Sequence, residues 1–288
     1  MSLHERLQRR IQRYGWDLAA DHYESLWQRQ LSPAHRELLA MAAPMPGEAV
    51  LDVASGTGLI ALAAAERVGS SGSVLGVDIS EAMVASATQR AAALGLEHVR
   101  FARMDGEQLS CAEHSYDLAY CALGLMYMPD PFAALRELFR VLRPGGRLAV
   151  AVWGERARCG WSPVFPIVDA EVNSDVCPLF FQLGGQGALT QLATDVGFED
   201  IRERRIDAVL EYADGAQACD AAFVGGPVAM AWSRFDAGVR QRVQRRYLQA
   251  ISPWRVGQGY RMPGEFTVML AGKPRASGPA GASPRRDG

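Results

Sequence analysis

Three carboxylates and two glycines stand at intervals suited to ligand chemistry. The segment Asp52-Val53-Ala54-Ser55-Gly56-Thr57-Gly58 follows the apolar run Ala49-Val50-Leu51; Asp78 stands twenty residues past Gly58, and Met104-Asp105-Gly106 lies further on. Gly56 and Gly58 carry no side chain, so the backbone amides there can approach a ligand closely. The helix expected from about Leu59 turns its positive end toward the same place. A carboxylate at Asp78 can accept from both hydroxyls of a ribose, and Asp105 adds another acceptor at the same rim.

Two ligands compete for such a turn. Gly56-Thr57-Gly58-Leu59-Ile60-Ala61 fits G-x-G-x-x-A, a pattern that dinucleotide-binding folds accept. Asp52 argues against that choice. It lies four residues before Gly56, where an unpaired carboxylate would repel a pyrophosphate. S-adenosylmethionine instead carries an ammonium and a sulfonium, and an acid beside them is an attraction.

These residues need strands and helices to place them. Residues 49–53, 73–77, 99–102, 116–120 and 148–152 read as short buried strands. Helical stretches separate them at 59–68, from Ser80 to about Leu94, and from Asp130-Pro131 to Leu142. Strand and helix alternating at these lengths predict a parallel sheet covered on both faces. Ligands bind such sheets outside the carboxyl ends of the strands, where the strand order reverses. Residues 1–45 read as helical, with Ser32-Pro33 restarting a helix as N-cap and first residue. After Trp153 the rhythm breaks: 155–185 is rich in Pro and Gly, 186–196 looks helical, 198–210 supplies a strand, 235–251 an amphipathic helix and 266–271 a last strand. Residues 273–288 have almost nothing apolar and read as a disordered tail.

The motifs resemble those of class I S-adenosylmethionine-dependent methyltransferases. Val50 to Gly58, Val77-Asp78-Ile79-Ser80, Met104-Asp105-Gly106 and Val141-Leu142-Arg143-Pro144-Gly145-Gly146 occur in that family's order across residues 48–152. Phe132 to Gly146 is especially similar to the ubiquinone/menaquinone C-methyltransferase-like branch and its small-molecule relatives. The resemblance implies an α/β, Rossmann-like, seven-stranded sheet, mostly parallel with an antiparallel last strand, and helices on both faces. It implies a helical N-terminal lid (1–45) and a single methyltransferase domain (46–272), with substrate-cover insertions near 155–185 and 212–262. It also implies roles. Asp52 would lie near the methionine amino group, with Ala54, Ser55, Gly56 and Gly58 along the amino-acid moiety. Asp78 would hold the ribose, Ile79 one adenine face and Asp105 the adenine amino group, with Gly106 leaving room. Cys121 would offer backbone contacts near the methionine end. Ala54 departs from the glycine the family often has. The lid residues Tyr14, Trp16 and Tyr23 would close over the sulfonium, where aromatic faces favour a cation.

The expected activity is methyl transfer to a small, partly apolar acceptor such as a phenol, quinone or secondary metabolite, with S-adenosylhomocysteine as product. Met126, Tyr127, Trp153 and Phe165 are the candidate acceptor contacts. An in-line displacement with a neutral thioether leaving group runs largely on alignment and desolvation. His22, Tyr127 and His114 are the candidate general bases should one be needed. The Asn/Asp-Pro-Pro-aromatic tetrapeptide of nucleic-acid amino methyltransferases is replaced by Cys121-Ala122-Leu123-Gly124. Arg240, Arg242, Arg245 and Arg246 read as a solvated helix face, so no nucleic-acid partner is expected. The alternatives are an NAD(P)-dependent oxidoreductase and a non-catalytic S-adenosylmethionine-binding regulator.

Composition agrees with an ordinary globular enzyme. The chain has 288 residues, 49% hydrophobic and 22% charged, with a formal net charge of −2. Such a length allows roughly two domains at ~150 residues each, and the motifs assign the excess to lid, cover and tail. No run is long and apolar enough to span a membrane, and Met1 to Arg13 lacks the apolar stretch of a secretory signal. Five cysteines without a C-x-x-C pair point to free thiols, no metal site and a cytoplasmic location.

Overall fold

Apolar runs too short for helices alternate with Ala- and Leu-rich segments, and the result is a sheet whose central strands are almost wholly buried. The computed structural model describes residues 3–172, 177 and 179–275. The chain begins with α1 (Leu3–Ala42), β1 (Ala49–Val53), α2 (Leu59–Val68), β2 (Ser73–Asp78), α3 (Glu81–Ala93) and β3 (Val99–Arg103). There follow β4 (Tyr116–Ala122), a 3-10 turn (Leu125–Tyr127), α4 (Pro131–Val141) and β5 (Leu142–Trp153). Beyond these lie α5 (Val164–Val172), α6 (Ala188–Val196), β6 (Glu199–Tyr212), α7 (Gly215–Phe223), α8 (Ala229–Arg234), α9 (Ala237–Ala250), β7 (Arg255–Val256) and β8 (Gly259–Gly272).

The strand order is β3-β2-β1-β4-β5-β8-β6, with the two-residue β7 paired to β8. β1 to β5 are parallel, and β8 is antiparallel to both its neighbours. This is the expected Rossmann-like sheet, seven strands long, with an antiparallel last strand. From β1 the chain moves first toward β3 and later toward β5, so right-handed crossovers put α2 and α3 on one face and α4 on the other. The order reverses between β1 and β4, and the carboxyl ends of those strands open the crevice where ligands bind. Local sequence fixes the helix starts that face it. Ser80 Oγ accepts from Met83 N at 3.1 Å to cap α3, and Asp130 Oδ1 accepts from Ala133 N at 2.9 Å to cap α4.

Three expectations change. Ser32-Pro33 does not restart a helix, because α1 runs through Pro33 unbroken for 40 residues. The missing Pro33 N–H would have bonded the Arg29 carbonyl; the Ser32 hydroxyl donates to that oxygen instead, at 2.9 Å. Within 155–185, Val164–Val172 forms a helix in spite of Pro166. Finally, the chain stays ordered past residue 272. Lys273 Nζ donates to the carbonyls of Phe139 (2.5 Å) and Leu142 (2.7 Å), capping the end of α4, and Gly145 N donates to the Lys273 carbonyl at 3.0 Å. The rest of the expected tail, 276–288, lies outside the described residues.

Glu265 on β8 fastens the segment after β5 to the sheet. Its carboxylate is buried, accepts from Glu155 N at 3.0 Å, and pairs with Arg205 at 2.5 Å and Arg158 at 3.1 Å. Replacing it with glutamine removes the buried charge that Arg205 and Arg158 share, leaving Arg205 the Gly184 carbonyl at 3.0 Å and Glu155 at 3.6 Å. Glu265→Gln is expected to lower stability by about 2–3 kcal/mol, read as a reduced urea midpoint at unchanged slope.

Candidate active site

The ends of β1, β2 and β4 and the first half of α1 line a cavity. α1 contributes Arg9, Gln12, Trp16 and Tyr23; the glycine turn contributes Ala54 and Gly56; the end of β2 and start of α3 contribute Asp78, Ile79 and Met83. Asp105, Gly106 and Glu107 close one side, and residues 122–124 and 127–129 the other. Arg9, Gln12, Trp16 and Tyr23 share one face of α1, being three, four and seven residues apart.

Asp78 organises the rim. Its Oδ2 accepts from Gly56 N and its Oδ1 from Ser80 N, both at 2.9 Å, tying the glycine turn to the cap of α3. Burial raises its carboxyl to about 6 against the opposing pull of these N–H groups. Asp52 lies beneath the turn, 1% exposed, with neither carboxylate oxygen hydrogen-bonded. Burial raises it to about 8; the Ala61 N–H at the start of α2 pulls the other way without closing a hydrogen bond, and Asp78 adds repulsion. Asp105 and Glu107 both pair with Arg9, the Asp105 contact at 3.4 Å. Burial pushes Asp105 up in spite of Arg9.

Three contacts pin α1 over this cavity, each to a different loop. Arg9 reaches Asp105 and Glu107. Asp17 Oδ1 accepts from Ser80 Oγ at 2.6 Å and from Ala82 N at 3.3 Å, joining the cap of α3. Glu24 pairs at 2.5 Å with Arg90, which also donates to the Thr57 carbonyl in the glycine turn at 2.8 Å.

A second, smaller chamber adjoins the first. Trp16, Tyr23, Leu123 and Tyr127 line both. Its remaining walls are Trp27, Leu31, Met126, Trp153, Trp161, Gly226 and Pro227, none of them charged. Trp16 packs edge-on against Tyr127 at 5.0 Å and Tyr23 at 5.8 Å, so these three rings form the partition.

The expected site residues thus divide. Ala54, Gly56, Asp78, Ile79, Asp105 and Gly106 line the first cavity, Met126 and Trp153 line the second, and Tyr23 and Tyr127 line both. Asp52 and Ser55 are buried beneath the turn. Gly58 starts α2 at φ +85°, and a Cβ there would stand 2.9 Å from the Phe101 ring, so its role is the turn itself. Cys121 is buried in β4, which runs to Ala122; the next three residues form the rim in its place. Tyr14 lies two residues from Trp16, on the opposite face of α1, under the guanidinium groups of Arg10 and Arg13. Phe165 enters neither cavity and packs behind Trp161 against Phe180. His22 is exposed on the outside of α1. His114 precedes β4, at the opposite end of the sheet, beside Lys273. Tyr127 is held well above its ordinary value by burial, with Cys177 and Tyr23 adding to it, so it is no base. Arg9, Gln12, Met83, Glu107 and Met128 were not singled out from sequence; the α1 pair could have been read from their three- and four-residue spacing to Trp16.

Residues 50–146 match the family model described as a methyltransferase domain. The aklanonic acid methyltransferase DauC of Streptomyces sp. strain C5 is 34% identical over 134 residues, 46% of this chain and 61% of that protein. The ubiquinone/menaquinone biosynthesis C-methyltransferase UbiE of Stenotrophomonas maltophilia strain K279a is 38% identical over 149 residues, 50% of this chain and 58% of that one. The matches span about three fifths of the length of these relatives. Among solved structures, the YcgJ protein of Bacillus subtilis has the same fold, with a TM-score of 0.63 at 17% identity over 85% of this chain and 100% of that one.

Ala54 adopts φ +56°, a left-handed conformation that a side chain disfavours by about 1–2 kcal/mol. Its methyl fits because residue 124 is glycine: a Cβ there would stand 2.3 Å from the Ala54 Cβ. Ala54→Gly is expected to stabilise the protein by about 1 kcal/mol. Gly124→Ala alone should destabilise it, and the double variant should recover most of that loss. A thermal-denaturation double-mutant cycle measures the coupling; additivity would show that the two positions do not oppose each other.

Proposed function

We propose that this chain, whose residues 50–146 match the model of a methyltransferase domain, transfers a methyl group from S-adenosylmethionine to a small, partly apolar acceptor. The observation that carries the reading is Asp52, a carboxylate buried beneath the glycine turn with no hydrogen-bond partner. Such a group wants a cation. The cavity above it agrees. Asp78, Asp105 and Glu107 line it, and its one lining cation, Arg9, is paired with Asp105 and Glu107. A pyrophosphate would meet net negative charge there, which disfavours the nicotinamide-dependent oxidoreductase. S-adenosylmethionine supplies an electrophilic methyl on a sulfonium, and its ammonium complements Asp52.

The residues then take these roles. Asp52 sets a negative field under the methionine end. Ala54 and Gly56 present backbone beside it. Asp78, with lone pairs left on both oxygens, accepts from the ribose hydroxyls. Ile79 and Met83 flank the adenine, Asp105 accepts from its amino group, and Gly106 leaves it space. Trp16, Tyr23 and Tyr127 stand between the cofactor cavity and the acceptor chamber, excluding water from the line of transfer. α1 acts as a lid through the Arg9, Asp17 and Glu24 contacts. Met126, Tyr127 and Trp153 contact the acceptor. No base is assigned: an acceptor that ionises readily, or attacks through an electron-rich ring carbon, needs only positioning and desolvation.

The partner is a small molecule. Arg242 pairs with Glu171 at 2.6 Å, Arg246 lies 3.6 Å from the same carboxylate, and Arg240 sits over the Trp232 ring; these contacts of three of the four arginines support reading the row as a solvated helix face. Among the described residues no helix is long and apolar enough to cross a membrane, and free cysteines suit a cytoplasmic location.

The test of activity is transfer of labelled methyl from S-adenosylmethionine into a fractionated metabolite extract, with mass spectrometry of the labelled product. Cofactor binding without any labelled product would favour the regulator instead. The role of Asp52 has its own test. A bound cation favours the ionised carboxylate, so below its free value of about 8 binding expels a proton. Affinity for S-adenosylmethionine should therefore rise between pH 6 and 7.5, by at most about tenfold per pH unit for one proton. Calorimetry in two buffers of different ionisation enthalpy counts that proton. Asp52→Asn should weaken binding and flatten the slope while raising the melting temperature of the ligand-free protein, because the unpartnered acid is gone. Affinity independent of pH, or a destabilised Asp52→Asn, would remove Asp52 from this role.

A further inference from the structure

The N-terminal half of α1 has an outer face that the site does not use. Leu7 is 52% exposed, Tyr14 41% and Leu18 50%. Their sequence spacing sets all three on one ridge of the helix, about 16 Å long. The ridge points away from the cofactor cavity, which Trp16 and Tyr23 line from the other side of α1. Leu7, Tyr14 and Leu18 also border an apolar groove with Ile11 of α1 and Met230 of α8. Large apolar side chains grouped in water mark an interaction surface.

The charge beside the ridge says what covers it. Arg6, Arg10 and Arg13 stand on adjacent turns of α1, to one side of the ridge, and line an open cleft together with Arg103 at the end of β3. Among the described residues these three arginines of α1 have no ion pair; Arg10 and Arg13 lie over the Tyr14 ring, and Arg13 Nε is buried without a hydrogen-bond partner. Like charges three and four residues apart destabilise a helix, and no acid nearby offsets them. Asp105 in the cleft is paired with Arg9, and Asp17 is engaged by Ser80 and Ala82. Arg234, exposed on α8, lines the groove as well. This positive surface belongs to a chain whose net charge is −2. An apolar ridge flanked by unpaired arginines complements a layer that is anionic outside and apolar within.

We propose that this outer face of α1 docks on an anionic lipid bilayer, with Leu7, Tyr14 and Leu18 entering the headgroup layer and Arg6, Arg10 and Arg13 meeting lipid phosphates. A helix with apolar residues on one face and arginines beside them lies in the plane of the membrane surface. A tyrosine, apolar in its ring and polar at its tip, suits the headgroup level, and a guanidinium presents paired N–H donors to phosphate oxygens. A second copy of the chain fits less well, because a two-fold contact here brings the two arginine rows together. Docking uses no residue of the cofactor cavity, so α1 keeps its inner contacts while its outer face is bound. On the methyltransferase reading above, the bilayer is also the phase into which a partly apolar acceptor partitions; the docking itself stands without that reading.

The test is co-sedimentation of the full chain with vesicles of phosphatidylcholine alone and of phosphatidylcholine mixed with phosphatidylglycerol, with the melting temperature of each variant as the check on folding. Binding is expected to the mixed vesicles, weaker at high salt, and not to phosphatidylcholine alone. Arg10→Gln and Arg13→Gln should each weaken it about fivefold, the worth of one arginine near an anionic surface. Leu7→Ser and Leu18→Ser should weaken it several-fold, and Arg245→Gln, at an exposed position of α9, should leave it unchanged. No binding to the mixed vesicles, equal binding to both kinds, leucine variants that bind as the parent does, or a loss reproduced by Arg245→Gln would overturn the proposal. Binding to polyglutamate without binding to vesicles would also overturn it and assign the face to an acidic protein. Vesicle binding is read without cofactor or acceptor, so a failure to bind S-adenosylhomocysteine bears on the methyltransferase reading alone.

Discussion

A carboxylate with no partner at the end of the central strand is the constraint around which this site is built. Asp52 sits between Gly76 on β2 and Tyr120 on β4 in register, so it is enclosed from both sides by the sheet itself. Its ionised form has no hydrogen bond to hold it, and burial leaves it near neutral at about 8. The empty protein is less stable for carrying it, since folding must then bind a proton that the unfolded chain would release above its ordinary carboxylate value. Stability from this residue falls as pH rises from that value toward 8, and only a cation can reverse the sign. The glycine turn above it, the Asp78 bonds that fix the turn and the acidic rim all follow from placing a cation there.

The second demand is water exclusion, and one helix meets it for both cavities. Arg9, Gln12, Trp16, Tyr23, Trp27 and Leu31 fall along a single face of α1, first over the cofactor cavity and then over the acceptor chamber. A helix broken at Pro33 would still cover both, but its continuation to Ala42 lets the same rod pack on β5, β8 and β6. The Ser32 hydroxyl makes that continuity possible by serving the carbonyl that proline leaves open.

What was legible in the sequence is what depends on neighbours in the chain. The glycine turn, the strand-end acids and the helix caps are local, and the alternation of elements around them predicted a parallel sheet with a crevice at its carboxyl ends; the antiparallel last strand was implied by the family resemblance. What was not legible depends on partners far away. Gly124 stood out in the sequence only as the end of the Cys121–Gly124 tetrapeptide, yet it is the space into which Ala54 puts its methyl. Arg9 looked like one of a run of N-terminal arginines, yet it meets Asp105 and Glu107 nearly a hundred residues later. Tyr14 was grouped with Trp16 and Tyr23 by type, although two residues on a helix reverse the face. His114 and Phe165 were chosen for residue type near the right strands, but one lies at the wrong end of its strand and the other a layer too deep.

The same distinction explains why chemistry was easier to read than selectivity. Cofactor contacts come from the ends of adjacent parallel strands, where a fixed fold delivers fixed sequence positions to one crevice. The acceptor chamber is assembled from α1, the 3-10 turn after β4, the end of β5, Trp161 and the Gly226-Pro227 turn, pieces that meet only through tertiary packing. Its walls are neutral, and the candidate bases are exposed, misplaced or held protonated, so the chamber offers shape and dryness rather than a proton acceptor. On the proposed reading, reactivity then resides in the acceptor, and specificity in the shape that the chamber can seat.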